Sequence, residues 1–580
     1  MKMKIIIGAC LMTFYSCTDL MNKEPLDKYS DAIIWTDLSI AEAYVNNVYR
    51  ILPGTGWDDI PRGRGLSCIS DDALHSYGYY GVEDMNKGML SPSNTTQFDT
   101  WKMDYEHIKM CNDFFENYEN LPANTPAEIE KKKRLKGEIH CLRAYCYFDL
   151  AQRFGGVPLV KKSFTLKDDF TMDRSTFEQT VQFIIEDCDD AVKLLPLQQD
   201  DANFGRLTQG AAMALKSRIL LYAASPLFNP SNDPQKWEAA AKAAKEVIDL
   251  KADGAPLYSL YLAANANHYN KLFLDKKHPE MIMFRVADVE QWQMDLPELT
   301  EGPGGGVDGA GVLSGWCSTQ ISQNLVDAFE MSDGSKFDWN NPVHASNPYD
   351  NRDPRLKFDI YYDGSSWNGS TIDLWLAEKS NNYTKDPRDK DFVIDKTPGA
   401  SGKNSNGNPV CYYKEVSKTG YGYRKALNTE FDFKEEPYPY YRPWMIFRYA
   451  EILLNYAEAL YNLGDESNAR FYVNQVRKRV DMPDITATGS ELEEKIRNER
   501  RIELCLEGHR YFDVRRWKIA EKVLNEPIMG VIVVKDKNSD KKIYTKTLVE
   551  ERIFTAPKHY LLPIPLYELE KVSLGQNPYY

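Results

Sequence analysis

Long apolar runs are scarce in this 580-residue chain. Past the first fifteen residues no stretch approaches the roughly twenty apolar residues a membrane-spanning helix needs, so no such helix is expected in the body of the chain. There are ten cysteines, none in a Cys-x-x-Cys pair, and eight scattered histidines without ligand spacing. A zinc cluster is therefore not expected. Most cysteines fall in helical patterns as small core residues would, and one or two disulfides stay open in an exported chain. Basic excess is also missing: the formal net charge is −14, which argues against nucleic acid as a partner. No Pro-, Gly- or Ser-rich linker divides the sequence, so one large domain is expected over residues 31–580. Enzyme signatures fail too. There is no Walker loop, no Gly-x-Ser-x-Gly elbow and no His-Glu-x-x-His pair. Gly304, Gly306 and Gly309 satisfy Gly-x-Gly-x-x-Gly formally. Pro303 stands beside the run and no βαβ pattern surrounds it, so a dinucleotide site is rejected. No cofactor and no metal is expected. Acid pairs such as Asp58-Asp59 and Asp71-Asp72 leave calcium open, but no loop has its ligand spacing.

What the chain does have begins with an address. Met-Lys-Met-Lys is followed by an apolar stretch from Ile5 to Tyr15, then Ser16-Cys17. A short basic end and about ten apolar residues make a secretory signal. A small residue before Cys17 marks a lipoprotein cleavage site, giving a leader of residues 1–16, a lipidated Cys17 and a tether over 17–30. Cys10, after Gly8-Ala9, fits the local pattern but leaves too short an apolar stretch. Removing Lys2 and Lys4 with the leader takes the net charge to −16. The mature chain is expected to be held at the membrane by its lipid.

Aromatic residues are the second excess, at 12% with 36 Tyr and 11 Trp. Helical spacing of apolar residues predicts helices over Trp101–Tyr118, around Leu135–Leu150, over Ser175–Leu195 with Ser175 as cap, over Ala211–Leu227 and over Trp237–Leu250. Helices resume at Phe447–Leu463, Ser467–Val480 and Glu491–Leu506. Between, over 251–442, Gly, Pro, Asn and Asp cluster and the periodicity fails. The expected organisation is a helical scaffold over 31–250 and 443–580, with a loop-rich face between. Tyr449 to Arg479 resembles a tetratricopeptide unit, with Ala457, Ala459 and Tyr461 on one helix, Gly464 at the turn and Ala469 on the next. Trp237 and the alanines after it suggest half of another.

Several segments, in order, resemble the SusD/RagB family of outer-membrane nutrient-binding lipoproteins. They are Cys17-Thr18-Asp19 with Glu24-Pro25-Leu26-Asp27; Arg143-Ala144-Tyr145 through Phe154-Gly155-Gly156-Val157-Pro158-Leu159; and Ala224-Ser225-Pro226-Leu227-Phe228-Asn229-Pro230. Arg352-Asp353-Pro354-Arg355, Arg448-Tyr449-Ala450-Glu451, Glu499-Arg500-Arg501 through Asp513, Leu561 to Pro565 and Gln576-Asn577-Pro578 complete the series. The resemblance implies a mostly α fold, a tetratricopeptide-like helical-pair scaffold with a large irregular ligand face. It also implies glycan binding without catalysis at the cell surface of the outer membrane, and a partner: a SusC-like TonB-dependent transporter over which the lipoprotein closes as a lid.

Candidate site residues follow from sugar chemistry. A sugar ring presents an apolar C–H face and a hydroxyl rim, so its site needs a flat aromatic surface edged by polar groups, usually on loops. Two segments fit. Residues 57–80 carry Trp57, Arg64, Asp72, Tyr77, Tyr79 and Tyr80; residues 288–320 carry Asp288, with Trp292 and Trp316 flanking the glycine-rich loop Gly302–Gly315. Trp101 and Trp237 sit on helix stripes and are expected in the core, whereas Trp339, Trp367 and Trp375 stay unranked. Glu499, Glu503 and Glu507, four apart, are read as pinned by arginines at 497, 500, 501, 510, 515 and 516 rather than as acid catalysts. Asp353-Pro354-Arg355 is read as a turn with a salt bridge. With 85 acids, a glycosidase using two nearby carboxylates is the rival class. A structural lid and a peptide-binding variant are further alternatives.

Overall fold

The structure is a computed structural model. It describes residues 31–54, 62, 65–76, 81–165, 167–168, 171–262, 269–286, 297–303, 316–367, 370–377, 383–386, 389–395, 403–404, 417–430, 442–535 and 541–580. Ten helices of eight or more residues carry the described part. They are α1 (Leu38–Val48), α2 (Trp101–Asn117), α3 (Pro126–Phe154), α4 (Phe177–Leu194), α5 (Gln209–Ala224), α6 (Pro234–Ile248), α7 (Tyr449–Asn462), α8 (Glu466–Lys478), α9 (Gly489–Glu503) and α10 (His509–Arg516). Four strands frame the site: β1 (Ala73–His75), β2 (Met281–Arg285), β3 (Thr319–Ile321) and β4 (Trp444–Arg448). The fold is mostly helical, built on tetratricopeptide-like pairs.

Local chemistry sets the helix ends. Thr125 caps α3 reciprocally with Glu128 and Pro126 opens it, which suits a missing N–H and a fixed φ. The cap of α4 is Thr176 bonded to Gln179, one residue later than the expected Ser175. Both spacings offer a capping pair, and Thr176–Gln179 wins by closing both bonds. Thr208 and Asp233 cap α5 and α6. Gly464, at φ +82, makes the turn between α7 and α8, in backbone that glycine adopts without strain.

The pairs stack through small residues. Ala457, Ala459 and Ala469 are fully buried, and Ala459 packs with Leu221, Ala224, Trp237, Ala240 and Ala241. Thus α6 wedges between α5 and α7, and Trp237 is core as expected, like Trp101. Two expectations are corrected. The helix expected from Phe447 begins at Tyr449, because residues 444–448 form β4 and pair antiparallel with β2. The carboxyl third also holds a long hairpin, Ile528–Lys535 against Lys542–Glu550, where only helices were expected. Its period-two pattern carries Val531 and Val533 inward.

A lattice of buried charges locks the last helices to the middle of the chain. Glu499 meets Arg355 at 2.6 Å and Arg477 at 2.9 Å. Glu503 meets Arg448 at 2.6 Å, Arg355 at 2.9 Å and Arg479. Glu507 meets Arg448 at 2.7 Å and Lys425 at 2.9 Å. The pinning expected for the three glutamates is present, but with other cations. Residues 500 and 501 leave α9 about 100° and 200° around from Glu499, so they face other acids. Arg500 and Arg516 hold Asp513, and Arg516 also holds Glu458. Arg497 pairs at the surface with Glu493. The Asp353–Arg355 salt bridge is present at 2.7 Å.

Burial alone raises the Glu503 pKa, but Arg479, Arg448, Arg355 and Lys425 outweigh it and hold the carboxyl well below its usual range. A depressed folded-state pKa contributes stability that is present above the unfolded value, about 4.3, and lost as pH falls below it. Denaturant titrations of the wild type are expected to show stability dropping between about pH 4 and pH 2. Glu503→Gln should lose roughly 3–5 kcal/mol at neutral pH, because four cations lose a buried partner, and should flatten that acid limb. A variant as stable as the wild type at pH 7 would show that the lattice is not load-sharing.

Candidate functional site

The two aromatic segments picked from sequence meet in the fold. Strands β1 and β3 pair antiparallel with Ala73 opposite Ile321, Leu74 opposite Gln320 and His75 opposite Thr319. The Ser76 N–H extends the ladder by donating to the Ser318 carbonyl at 2.8 Å. The downstream part of 57–80 is thereby stitched to the end of 288–320. Half-buried Trp316 stands two residues from that last bond. Its base is held firmly. Cys317 is fully buried at φ +49, its N–H donates to the Gly302 carbonyl at 3.0 Å, and its sulfur accepts from the Tyr361 hydroxyl at 2.7 Å. Half-buried Trp367, unranked from sequence, packs on the same small cluster of Cys317, Tyr361, Ile372 and Leu374.

Other expected positions fare differently. Trp57, Arg64, Tyr77, Tyr79, Tyr80, Asp288 and Trp292, like Cys17, lie outside the described residues. Asp72 is corrected. It is fully buried and accepts from Arg501 Nε at 2.8 Å, so it faces the α9 lattice rather than a ligand. Asp71 beside it is held by Arg510 through two 2.8 Å bonds. Acid neighbours in a turn looked like a polar rim because nothing local reveals arginines some 430 positions away. Trp339 donates to Asp327 at 2.9 Å and packs against Phe337.

A cleft opens beside Trp444, which sequence reasoning missed. Its apolar half is walled by Phe273, Pro297, Tyr423, Pro443, Trp444 and Met445, over a floor of Lys425 and Glu507. A polar half continues past Trp444 and Glu507 to Arg62, Asp149, Arg153, Arg218 and His509. The picked segments are anchored here as well. Pro53 and Arg62, on either side of residues 55–61, both line the polar half, and Pro297, at the end of 288–296, lines the apolar half. Short helix Pro297–Glu301 spans the two places: Arg442 and the Asn428 N–H bond Glu298, and Glu301 accepts from the Thr319 N–H at 2.8 Å. Only the rigid Pro443-Trp444 pair before a helix was a usable local signal. Phe273 and the Tyr423–Lys425 stretch come from other parts of the chain, with no local pattern that links them to Trp444.

The acids of this cleft are tied down. Glu507 accepts from Arg448 and Lys425, and Asp149 accepts from Arg62, Arg153 and Gln152. Carboxylates so engaged serve structure rather than proton transfer. Burial pushes the Asp359 carboxyl behind the floor up to about 7, with Lys425 at 3.7 Å opposing it.

The helical body has counterparts among known proteins. The model of the SusD family matches residues 279–580, more than half of the chain. This chain belongs to the SusD family. A second model, described as starch-binding associating with outer membrane, matches residues 64–221. SusD-like protein P38 of Formosa agariphila is 23% identical, over 89% of this chain and 91% of that protein. The crystal structure of a SusD-like protein from Bacteroides fragilis is 29% identical and superposes with a TM-score of 0.76, covering 96% of this chain and all of that one. A SusD-like carbohydrate binding protein from the same species is 25% identical with a TM-score of 0.73, over 93% and 99%. Coverage of nearly the whole of both chains shows that this SusD-family chain shares its architecture with these structures.

Replacing Asp72 by alanine separates a lattice role from a ligand role. Arg501 keeps the buried Asp71 at 2.9 Å but loses its closest partner, so Asp72→Ala is expected to cost roughly 2–4 kcal/mol in a denaturant melt. An unchanged melt with weakened glycan binding would return Asp72 to the ligand set.

Proposed function

We propose that this SusD-family protein binds an oligo- or polysaccharide at the cell surface and hands it to a SusC-like TonB-dependent transporter, acting as its lid and catalysing nothing. The observation that carries the reading is the β1–β3 ladder. It joins the two aromatic segments chosen for sugar recognition and sets Trp316 at their junction on a rigid base. The carbohydrate-binding name of the 25% identical relative supports it, as do engaged rather than free acids in the cleft.

The ligand face then comprises Trp316 with Trp292, Trp57, Tyr77, Tyr79 and Tyr80 as stacking surfaces, and Arg64 and Asp288 as hydroxyl partners. Aromatic platforms suit a shallow site because they lose little side-chain entropy on binding. The leader and Cys17 supply the outer-membrane anchor. The tether over 17–30 gives reach, up to about 45 Å if extended. No described helix is long and apolar enough to cross a membrane.

Titration of residues 18–580 against a polysaccharide panel, with reducing sugar measured in the same samples, tests this. Saturable heat without sugar release is expected for at least one polymer. Trp316→Ala should weaken that binding about tenfold or more, roughly 1.4 kcal/mol, without shifting the thermal midpoint. Sugar release would favour a glycosidase. Undiminished affinity in Trp316→Ala and Trp292→Ala together would remove the site assignment.

A further inference from the structure

The polar half of the cleft is unlike a sugar platform. Arg218, His509 and Tyr222 line it and each is at least nine-tenths buried. Arg218 commits Nε and Nη2 to Glu451, at 2.7 and 2.6 Å, and Nη2 also to the Ile446 carbonyl. Its Nη1 donates to no described atom. The Tyr222 hydroxyl is in the same position. The imidazole of His509 lies 3.4 Å from Arg500 Nη2 through Nδ1. A guanidinium only donates, so Nδ1 accepts and the ring proton sits on Nε2. Burial, reinforced by Arg218 and Arg500, pushes the His509 pKa well down and keeps the ring neutral. Three buried side chains therefore bring donors to one cavity.

The backbone adds more. Gly508 is the N-cap of α10, at φ +83, and it lines the cavity with His509. No side chain caps this helix. The N-terminal end of α10 therefore lines the cavity, and the positive end of its dipole favours an anion there. The acceptors on the wall are already engaged. Arg62 and Arg153 both bind Asp149, and Arg448 and Lys425 hold Glu507. Arg62 also binds Asp104 at 2.8 Å, whose second oxygen is buried without a partner. Burial raises the Asp104 carboxyl. Asp149 stays low because Arg153 and Arg62 outweigh its burial.

We propose that the polar half of the Trp444 cleft is an oxyanion site. It takes a sulfate, phosphate or carboxylate group between Arg218, Tyr222, His509 and the open end of α10. Its ligating side chains are none of those assigned to the glycan, although the segment that carries Trp57 is anchored on the same wall at Pro53 and Arg62, so the two readings are tested separately. The group arrives either free or carried on a sugar.

The test titrates the mature chain with sodium sulfate, sodium phosphate, sodium glucuronate and galactose 6-sulfate, each against sodium chloride at matched ionic strength. Heat and thermal midpoint are read together, and the neutral polysaccharides of the panel are run alongside. Saturable binding with a raised midpoint is expected for at least one oxyanion. Tyr222→Phe should leave the chloride midpoint and neutral-polysaccharide binding unchanged while weakening oxyanion affinity about tenfold. Arg218→Lys, which keeps the charge facing Glu451, should weaken it as well. Tighter binding of glucuronate or galactose 6-sulfate than of the free ions assigns the group to an acidic glycan, and the reverse order assigns it to a free ion. Absence of saturation with all four, or full affinity in both variants, overturns the proposal. Loss of neutral-polysaccharide binding alone would count against the glycan reading and leave this one standing.

Discussion

Moving a carboxylate out of water costs several kcal/mol unless cations and hydrogen bonds replace the water. Glu503 is removed from water completely, and it is tolerated because Arg355, Arg448 and Arg479 converge on it from three separate stretches of chain. Arg355 and Arg448 each bridge to a second glutamate, Glu499 and Glu507 respectively. Arg479 and Arg448 both also reach Glu280, so β2 joins the same lattice. Planar guanidiniums with five donors suit such bridging in a way that lysine does not. Each carboxylate of the lattice keeps its cations only while the others stay in place, which couples the members to one another.

The lattice is also what gives the cleft its walls. Arg448 ends β4, four residues after Trp444, and Lys425 lies two residues after Tyr423. Glu507 is at once a lattice member and the divider between the two halves of the cleft. Holding Trp444, Tyr423 and Glu507 in register therefore needs no further device. At the aromatic ladder the Asp71–Arg510 and Asp72–Arg501 pairs fix the turn that leads into β1, and through β1 the position of Trp316. Both the ladder and the cleft hang from buried ion pairs made by the last helices.

This explains how legibility divides along the chain. The helices of the scaffold were readable because their information is local: a capping residue, a period of 3.6, a glycine at a turn. The errors at Ser175 and Phe447 are boundary errors, where two local signals competed. The hairpin of residues 528–550 was missed because eight apolar-rich residues in a helical region carry no decisive period. The network around Glu499, Glu503 and Glu507 was readable as a network, since unpaired acids four apart on one helix demand cations. Its partners were not, because an arginine as distant as Arg355 leaves no trace beside the glutamates. Asp72 failed for that reason, and Trp444 was overlooked because its fellow wall residues lie in other segments.

A division of labour follows for the family position of this chain. The charged lattice, the alanine seams and the helix caps fix one backbone. The segments between 53 and 62, between 76 and 81 and between 286 and 297 enter and leave that backbone at points pinned by it: Arg62 on Asp149 and Asp104, Ser76 on Ser318, Arg442 on Glu298 beside Pro297. The atoms that do the pinning lie in the described residues that flank those segments. A solved relative only 29% identical shares the architecture over 96% of this chain, with a TM-score of 0.76. The polar pocket beside α10 is built from lattice and helix residues, so altering Arg218 or Arg153 strands a buried acid.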